Sequence, residues 1–377
     1  MSEVPKQYET RKYEPGTHPD LPPPPLSSGP ALWVKEHLLG SPTNIVLTCV
    51  SLYLLYQIIP GLWSWAFSDA VFSAGSRNEC RDLGSGACWA FIDKRVAQFV
   101  YGFYPQELRW RVNLSFLLLF AAVIPVLFDK VPARGKWLMF SVAYPFIAYV
   151  LLVGNVFGLE HVETSKFGGF MLTMVIGITG IAASLPIGIL LALGRRSDMP
   201  AVRILCVMFI EFIRGVPLIT LLFVASTMLT YFLPPGSTFD LLARVLIMVT
   251  LFSAGYLAEV VRGGLQALPK GQMEAANALG LRYWQAMRLI ILPQALKISI
   301  PGIVNTFIGL FKDTTLVIII GLLDPLGIGQ ASLADAKWNG LSTEVYVFIA
   351  IFFFICCFSM SRYSLYLERK LDTGYQR

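Results

Sequence analysis

The sequence predicts an all-α, polytopic membrane protein of about eight spans, on three observations. Of its 377 residues, 55% are hydrophobic and only 14% are charged, against about 25% charged in a soluble domain. The apolar residues are gathered into runs of 17 to 33 residues, whereas a buried helix of a soluble protein stops nearer 10–14 and a membrane span needs about 20. Short loops between the runs hold most of the 30 basic residues. Lysine and arginine placed there meet anionic lipid and set orientation, so the net charge of +6 does not argue for nucleic acid.

Each element follows in order. Residues 1–43 are polar and proline-rich, with four consecutive prolines at Pro22–Pro25. No positively charged start feeds a short apolar stretch, so this segment is expected to be a stiff tail rather than a cleavable signal. The first span is expected from Ile45 to Phe67, with Trp63 and Trp65 as interface anchors, followed by a long loop from Ser68 to Arg111. The second covers Val112–Phe128, and a basic loop with Lys130, Arg134 and Lys136 leads into a third from Trp137 to about Leu159. The fourth, Phe167–Leu193, carries Gly177, Gly180, Pro186 and Gly188, small residues of the kind that let helix backbones approach in lipid. Residues 201–233 are too long for one straight span, and Arg214-Gly215-Val216-Pro217 predicts a break or re-entrant stretch within the fifth. Leu241–Val261 forms the sixth. The seventh begins near Leu289, contains Pro293 and Pro301, and is followed by the apolar piece Thr315–Leu323; the eighth is Val345–Tyr363.

An even number of spans puts both termini on one side. With that side inside, its segments hold eighteen basic residues against eight outside, which predicts both termini in the cytoplasm. Six of the eight sit in the 68–111 loop among five acidic neighbours, and a loop that long weighs less. The same loop carries Cys80 and Cys88, which an oxidising compartment would allow to close a disulfide. Cys49, Cys206, Cys356 and Cys357 fall in or beside spans, as small apolar fillers.

The most informative stretch is GQMEAANALGLRYWQAMRLIILPQAL, Gly271–Leu296. Gln272 to Leu279 are good helix formers, Gly280 stands where a C-terminal cap glycine would, and Leu281 where its flanking apolar contact would. Glu274 falls in the first turn, where a carboxylate gains from free backbone amides. Ala275 and Ala276 are expected to offer a small flat surface, with Met273 and Leu279 as apolar contacts. Such a helix suits a groove on a partner protein, or else packs on its own spans.

The pattern of Glu274, Ala275, Ala276, Gly280, Ile290, Leu292 and Pro293 resembles the loop signature of ATP-binding-cassette (ABC) importer permeases. The resemblance implies a type I ABC importer transmembrane fold with a five-span core, in which this loop forms a coupling helix seated in a cleft of a nucleotide-hydrolysing subunit. Glu211, Arg214, Gly215, Pro217 and Leu218 resemble the E-x-x-R-G-x-P-L stretch of polar and basic amino-acid permeases. Gly255, Tyr256, Ala258, Glu259, Arg262, Gly263 and Gly264 match a second stretch of that subfamily, and Lys312-Asp313-Thr314-Thr315-Leu316 a third, with Thr315 in place of serine. The match covers about residues 165–367. The longer layout resembles the general L-amino-acid permeases of Gram-negative bacteria, which carry added N-terminal spans.

The expected organisation is therefore a cytoplasmic proline-rich tail at 1–43 and three accessory spans within 44–164, with a periplasmic loop at 68–111. A permease core at 165–367 follows, with its coupling loop at 271–293, and a cytoplasmic tail at 368–377. The resemblance implies an ABC ATPase dimer, a second homologous permease chain and a periplasmic amino-acid-binding protein as partners, in a bacterial inner membrane. No G-x-x-x-x-G-K-[ST] phosphate loop occurs in the sequence. ATP and Mg are thus expected on the partner ATPase, and the chain is expected to bind no cofactor or metal and to catalyse no reaction itself.

Charge at membrane depth is costly and marks function. Glu211 with Arg214 and Glu259 with Arg262 are each three apart and able to pair on one helix face. Adjacent Lys312 and Asp313 cannot share a face and call for separate partners. Helix-to-helix bonding is the plainer reading of all six. A path or gate role is the sharper one, with Arg214 or Asp313 bordering the path and Glu259 and Arg262 nearer a linkage role. The alternative to an ATP-driven importer is an ion- or proton-coupled secondary amino-acid transporter, which also uses interrupted helices and buried charge.

Overall fold

The computed structural model describes residues 30–228, 231 and 239–371. The run Pro22–Pro25, most of the proline-rich tail, part of the long fifth apolar run and the end of the C-terminal tail lie outside them. The chain forms two compact units, one of residues up to Ala70 with Ser85–Ala87, the other of Val71–Gly84 with everything from Cys88.

In the first unit a short helix, α1 (Pro30–His37), precedes α2 (Pro42–Trp63). Ser41 caps α2 by accepting from the Asn44 amide at 3.1 Å, and Pro42 occupies the first turn, where its missing N–H costs nothing. None of the α2 side chains is buried. A helix apolar all round and unburied suits a lipid surrounding. A π-type turn, Ser64–Ser68, closes the span, and the amides of Gly86 and Ala87 donate to the Asp69 and Trp65 carbonyls.

The second unit opens with an extramembrane segment holding α3 (Arg77–Leu83) and α4 (Ala90–Tyr101). Cys80 and Cys88 form a disulfide across it. Phe91 and Phe99 are fully buried, and the Phe91 ring packs on Trp338 with centroids 5.5 Å apart. The Cys88 amide donates to the buried Glu344 carboxylate at 3.2 Å, and the Arg77 amide to the Lys337 carbonyl at 2.8 Å. These bonds fasten the segment to the chain that precedes the last span.

Next come α5 (Arg109–Leu127) and α6 (Arg134–Val153), joined by Ser141 donating to the Ala122 carbonyl and Tyr144 to the Ser115 carbonyl. The third span thus ends at Val153, six residues before the Leu159 expected from the sequence. The apolar residues beyond it belong to a loop in which the Asn155 amide donates to the Leu159 carbonyl at 3.0 Å and Val162 returns to Val153 at 2.8 Å. Hydropathy alone cannot separate that loop from a helix.

The core helices are α7 (Gly169–Arg195), α8 (Pro200–Gly215), α9 (Leu218–Phe223, continued by a π turn to Met228) and α10 (Leu241–Gln266). Between α8 and α9 the chain bends by 102°, where Pro217 cannot continue a helical hydrogen-bond ladder. Helices α7 and α10 cross closely at Gly188: a Cβ there would stand 2.7 Å from that of Leu257. Helix α11 (Gly271–Ala278) follows, then α12 (Tyr283–Ala286). A π turn (Met287–Ile291) leads on to α13 (Leu292–Asp313) and the 3₁₀ stretch Thr314–Ile320. Helical chain therefore starts at Tyr283 and runs on into the seventh span, as the helix-forming residues after Arg282 predict. Helices α14 (Pro325–Leu333) and α15 (Ser342–Leu371) are the last among the described residues. Among the described residues, seven helices, or eight with the bent α8–α9 pair, are long and apolar enough to cross a membrane.

Helices α5 and α6 pack on α7 through Leu119, Ala122, Tyr144 and Ile178, and Val112, Leu152 and Val153 join the α7–α10 core. The compact unit therefore begins well before residue 165, since the second and third spans bury surface against the fourth.

Candidate functional site

The Gly271–Pro293 loop is a helix, a tight turn and a second helix. Helix α11 ends in a paired capping motif: the Leu281 amide donates to the Ala276 carbonyl at 3.1 Å and the Gly280 amide to the Asn277 carbonyl at 2.9 Å. Gly280 adopts φ 75°, which a residue with a Cβ takes only at a cost. The Arg282 amide then donates to the Gln285 side chain at 2.9 Å, starting α12, and Pro293 falls in the first turn of α13. Gln272 bonds Gln294 across the loop at 3.0 Å.

One side of this loop faces its own spans. Met273 packs into a cluster with Ala192, Leu193, Val261, Leu265, Met287, Ile291 and Ala295, and Ile290 and Leu292 line the same cluster. Ala276 is 1% exposed. The flat surface expected from Ala275 and Ala276 together is thus corrected: Ala276 and Met273 point inward, because helix phase turns every third or fourth residue the same way. Glu274 and Ala275 remain exposed, beside Leu279 at 79% and Trp284 at 65% exposure. Apolar side chains left bare next to a rigid turn mark a contact surface.

Close to this cluster, five charged side chains from three helices form one network. Arg195, at the end of α7, donates to Glu211 of α8 at 2.9 Å and to Glu259 of α10 at 2.6 Å. Arg262 reaches Glu259 at 2.8 Å, and Arg214 stands 3.7 Å from Glu259 and 4.0 Å from Glu211. The expected pair Glu259–Arg262 is direct, whereas Glu211–Arg214 is loose, and both carboxylates turn toward Arg195. Sequence reasoning did not single out Arg195, the last residue of α7. The signal that could have found it is two carboxylates within apolar spans, each needing more than one cation. Glu259 is the hub, with a side chain 15% exposed and three guanidinium neighbours. Val261, beside Arg262, belongs to the cluster that seats α11, so network and loop share one packed body.

Lys312 and Asp313, at the end of α13, lie outside the network. Neither makes a hydrogen bond or ion pair with another side chain among the described residues. No group of three or more His, Cys, Asp or Glu side chains suited to a metal occurs among those residues.

Residues 184–373 match the family described as the binding-protein-dependent transport system inner membrane component. The chain belongs to that family. It is 52% identical to the inner membrane amino-acid ABC transporter permease protein YhdY of Escherichia coli (strain K12), over 95% of this chain and 97% of the relative. It is 46% identical to the glutamate/glutamine/aspartate/asparagine transport system permease protein BztC of Rhodobacter capsulatus, over 94% of this chain and 96% of that one. The probable glutamine ABC transporter permease protein GlnM of Bacillus subtilis (strain 168) is 34% identical over 93% of its own length but only 55% of this chain. A chain of this family is a multi-pass inner-membrane transport permease with the type I ABC importer transmembrane fold, and the secondary-transporter alternative is set aside. YhdY and BztC extend over the accessory spans as well as the core.

Proposed function

We propose that this chain is the permease of an ATP-driven amino-acid importer, and that it couples to a separate ATPase through the exposed face of α11. The observation that carries this is the turn at Gly280, which leaves Glu274, Ala275 and Leu279 exposed while Met273 packs on the cluster of Ala192, Val261 and Ala295 and Ala276 is buried. A push on α11 is thereby delivered to α7, α10 and α13 together. ATP binding closes the two ATPase subunits, the coupling helices follow, and the paired permeases open outward to a soluble receptor; hydrolysis resets them. Each state needs its own ligand preference for nucleotide to shift the balance. Amino acids as cargo follow from what YhdY and BztC are named for.

The eighteen-to-eight basic bias supports a cytoplasmic placement of both termini and of α11. ATP and Mg reside on the ATPase, and the assembly holds an ATPase dimer, a second homologous permease and the receptor. Arg195, Glu211, Arg214, Glu259 and Arg262 tie the inner helix ends into one gate body. Lys312 and Asp313 make no side-chain hydrogen bond or ion pair among the described residues, and charge at membrane depth is costly, so we place them beside the second permease or the translocation path. The test is co-purification of the ATPase from membranes: wild type retains it, and Glu274→Lys and Leu279→Asp lose it while the permease itself stays folded. Undiminished ATPase recovery with both variants would reject the coupling assignment.

A further inference from the structure

The second and third spans do not close completely on the fourth and sixth. Between α5, α6, α7 and α10 lies a cavity of about 320 Å³, lined wholly by residues of the second compact unit. It begins at Thr164 and Asp240, where α5, α7 and α10 start and α6 ends, and reaches Leu119 on α5, Tyr144 on α6 and Thr179 on α7. Those three residues stand about ten positions from their helix ends, so at about 1.5 Å of rise per residue the cavity is about 15 Å deep. One leaflet of a bilayer's hydrocarbon is about as thick. Phe146 and Tyr149 of α6 line the cavity and are 74% and 63% exposed, so it opens sideways on a face that meets lipid.

The walls restrict what fills it. Among the described residues no Lys, Arg, His or Glu lines the cavity, and side chains such as Phe116, Leu152, Val175 and Leu246 make up most of its surface. Four of its polar side chains are already engaged. The Tyr144 hydroxyl donates to the Ser115 carbonyl at 3.1 Å and lies 3.3 Å from the Ser115 hydroxyl. Thr164 donates to one Asp240 oxygen and the Ala243 amide to the other, at 2.8 Å. An amino acid brings an ammonium and a carboxylate, and the wall offers no cation for one and a carboxylate already engaged for the other. Water needs about three polar partners, and an apolar cavity stays dry without them. Left empty, the walls would forfeit their dispersion contacts. A helix from another chain is too thick: at about 10 Å across with its side chains, 15 Å of it displaces about 1,200 Å³. A single hydrocarbon chain meets every condition, being thin, apolar, one leaflet long and present at the opening. Met171 and Met174 suit it as well, because flexible thioethers fill irregular gaps.

We infer that this cavity is a binding site for one acyl chain of a membrane phospholipid, with the glycerol end at Thr164 and Asp240 and the tail running toward Thr179. The chain completes the packing of α5 and α6 on the α7–α10 pair. The inference rests on membrane placement alone and is independent of the cargo and of the coupling partner.

The experiment uses the assembled transporter in phosphatidylcholine vesicles that carry a fraction of the same lipid with a diazirine in mid-chain, photolysed and mapped by mass spectrometry. Met139 and Val142, exposed on α6, report bulk lipid; Met174 and Leu246, half-buried in the cavity wall, report the site. Wild type should be labelled at both pairs. Washed in detergent before photolysis, it should keep the label at Met174 and Leu246 and lose it at Met139 and Val142. Ala148→Phe and Ala243→Phe each put a ring into the cavity and should cut labelling of Met174 about 5-fold, while unchanged labelling of Met139 in vesicles shows that the fold stands. Wild-type vesicles with no label at Met174 and Leu246 overturn the site. So does equal loss of label at both pairs on washing, a reading that needs no variant to fold. A Met174→Cys transporter that cross-links to the second permease instead of taking lipid label makes the occupant a protein side chain, and overturns it too.

Discussion

Replacing Glu259 with glutamine keeps the side-chain shape and removes one charge from the centre of the five-residue network. Arg195 at 2.6 Å and Arg262 at 2.8 Å each lose a charged acceptor, and Arg214 at 3.7 Å loses its nearer carboxylate. A hydrogen bond to a charged group contributes about 1.5–3 kcal/mol and a neutral one about half that. Two such weakenings give about 2 kcal/mol. The mutual repulsion of three guanidinium groups adds a further fraction, kept small because Arg195, Arg214 and Arg262 are 23%, 38% and 27% exposed and screened by water. The assay is a double-mutant cycle of Arg195→Gln, Glu259→Gln and both, in nanodisc-embedded transporter, read by thermal unfolding and by ATP hydrolysed per amino acid imported. Both single variants should lower the unfolding midpoint and waste ATP, and the double variant should be less damaged than their sum by about 1–2 kcal/mol. Effects that add within about 0.5 kcal/mol would show that Arg195 and Glu259 act independently, and would refute the network as a single gate body.

Gly280→Val forces a branched side chain into φ 75°, at a cost of about 1–3 kcal/mol in the turn; ATPase co-purification should fall, and Gly280→Asn should retain most of it. Asp324, fully buried between the 3₁₀ stretch and α14, has its carboxyl pushed by burial from 3.8 to about 6. Between those two values the native state keeps a proton that the unfolded chain gives up, so the stability that Asp324 contributes is full below about pH 4 and is lost, by about 3 kcal/mol in all, as pH rises through about 6. The difference in midpoint between wild type and Asp324→Asn should shift by that amount across the range. Cys80→Ser with Cys88→Ser should loosen the α3–α4 segment by about 2.5 kcal/mol, from the eight-residue separation the disulfide closes. Alkylation of wild type should add mass at both cysteines only after reduction, and labelling without reductant would contradict the bond.

Much of the fold was legible because lipid imposes a simple rule: a helix must be long and apolar to cross. The bend at Pro217 was legible too, since proline removes the donor that a straight helix needs. The end of the third span was not, because Val156, Phe157 and Leu159 are as apolar as a helix interior yet lie in a loop. At the candidate site, the turn at Gly280 could be read from glycine chemistry alone. The inward face of α11 could not, for an eight-residue helix with apolar residues on two sides has no phase that sequence can fix. Arg195 was hidden for a further reason: its partners come from two other helices, and only packing brings three helix ends within reach of one carboxylate.

The crossing of α7 and α10 at Gly188 carries a mechanical consequence. A Cβ at 188 would meet the Leu257 Cβ at 2.7 Å and the Ala254 carbonyl oxygen at 3.1 Å, so any larger residue there would force the two helices apart and open voids along their seam. Any rocking of the permease must carry these two helices as a single rigid beam, with α11 riding on its end. The sharpest departure from straight helix, the 102° corner between α8 and α9, lies outside that pair.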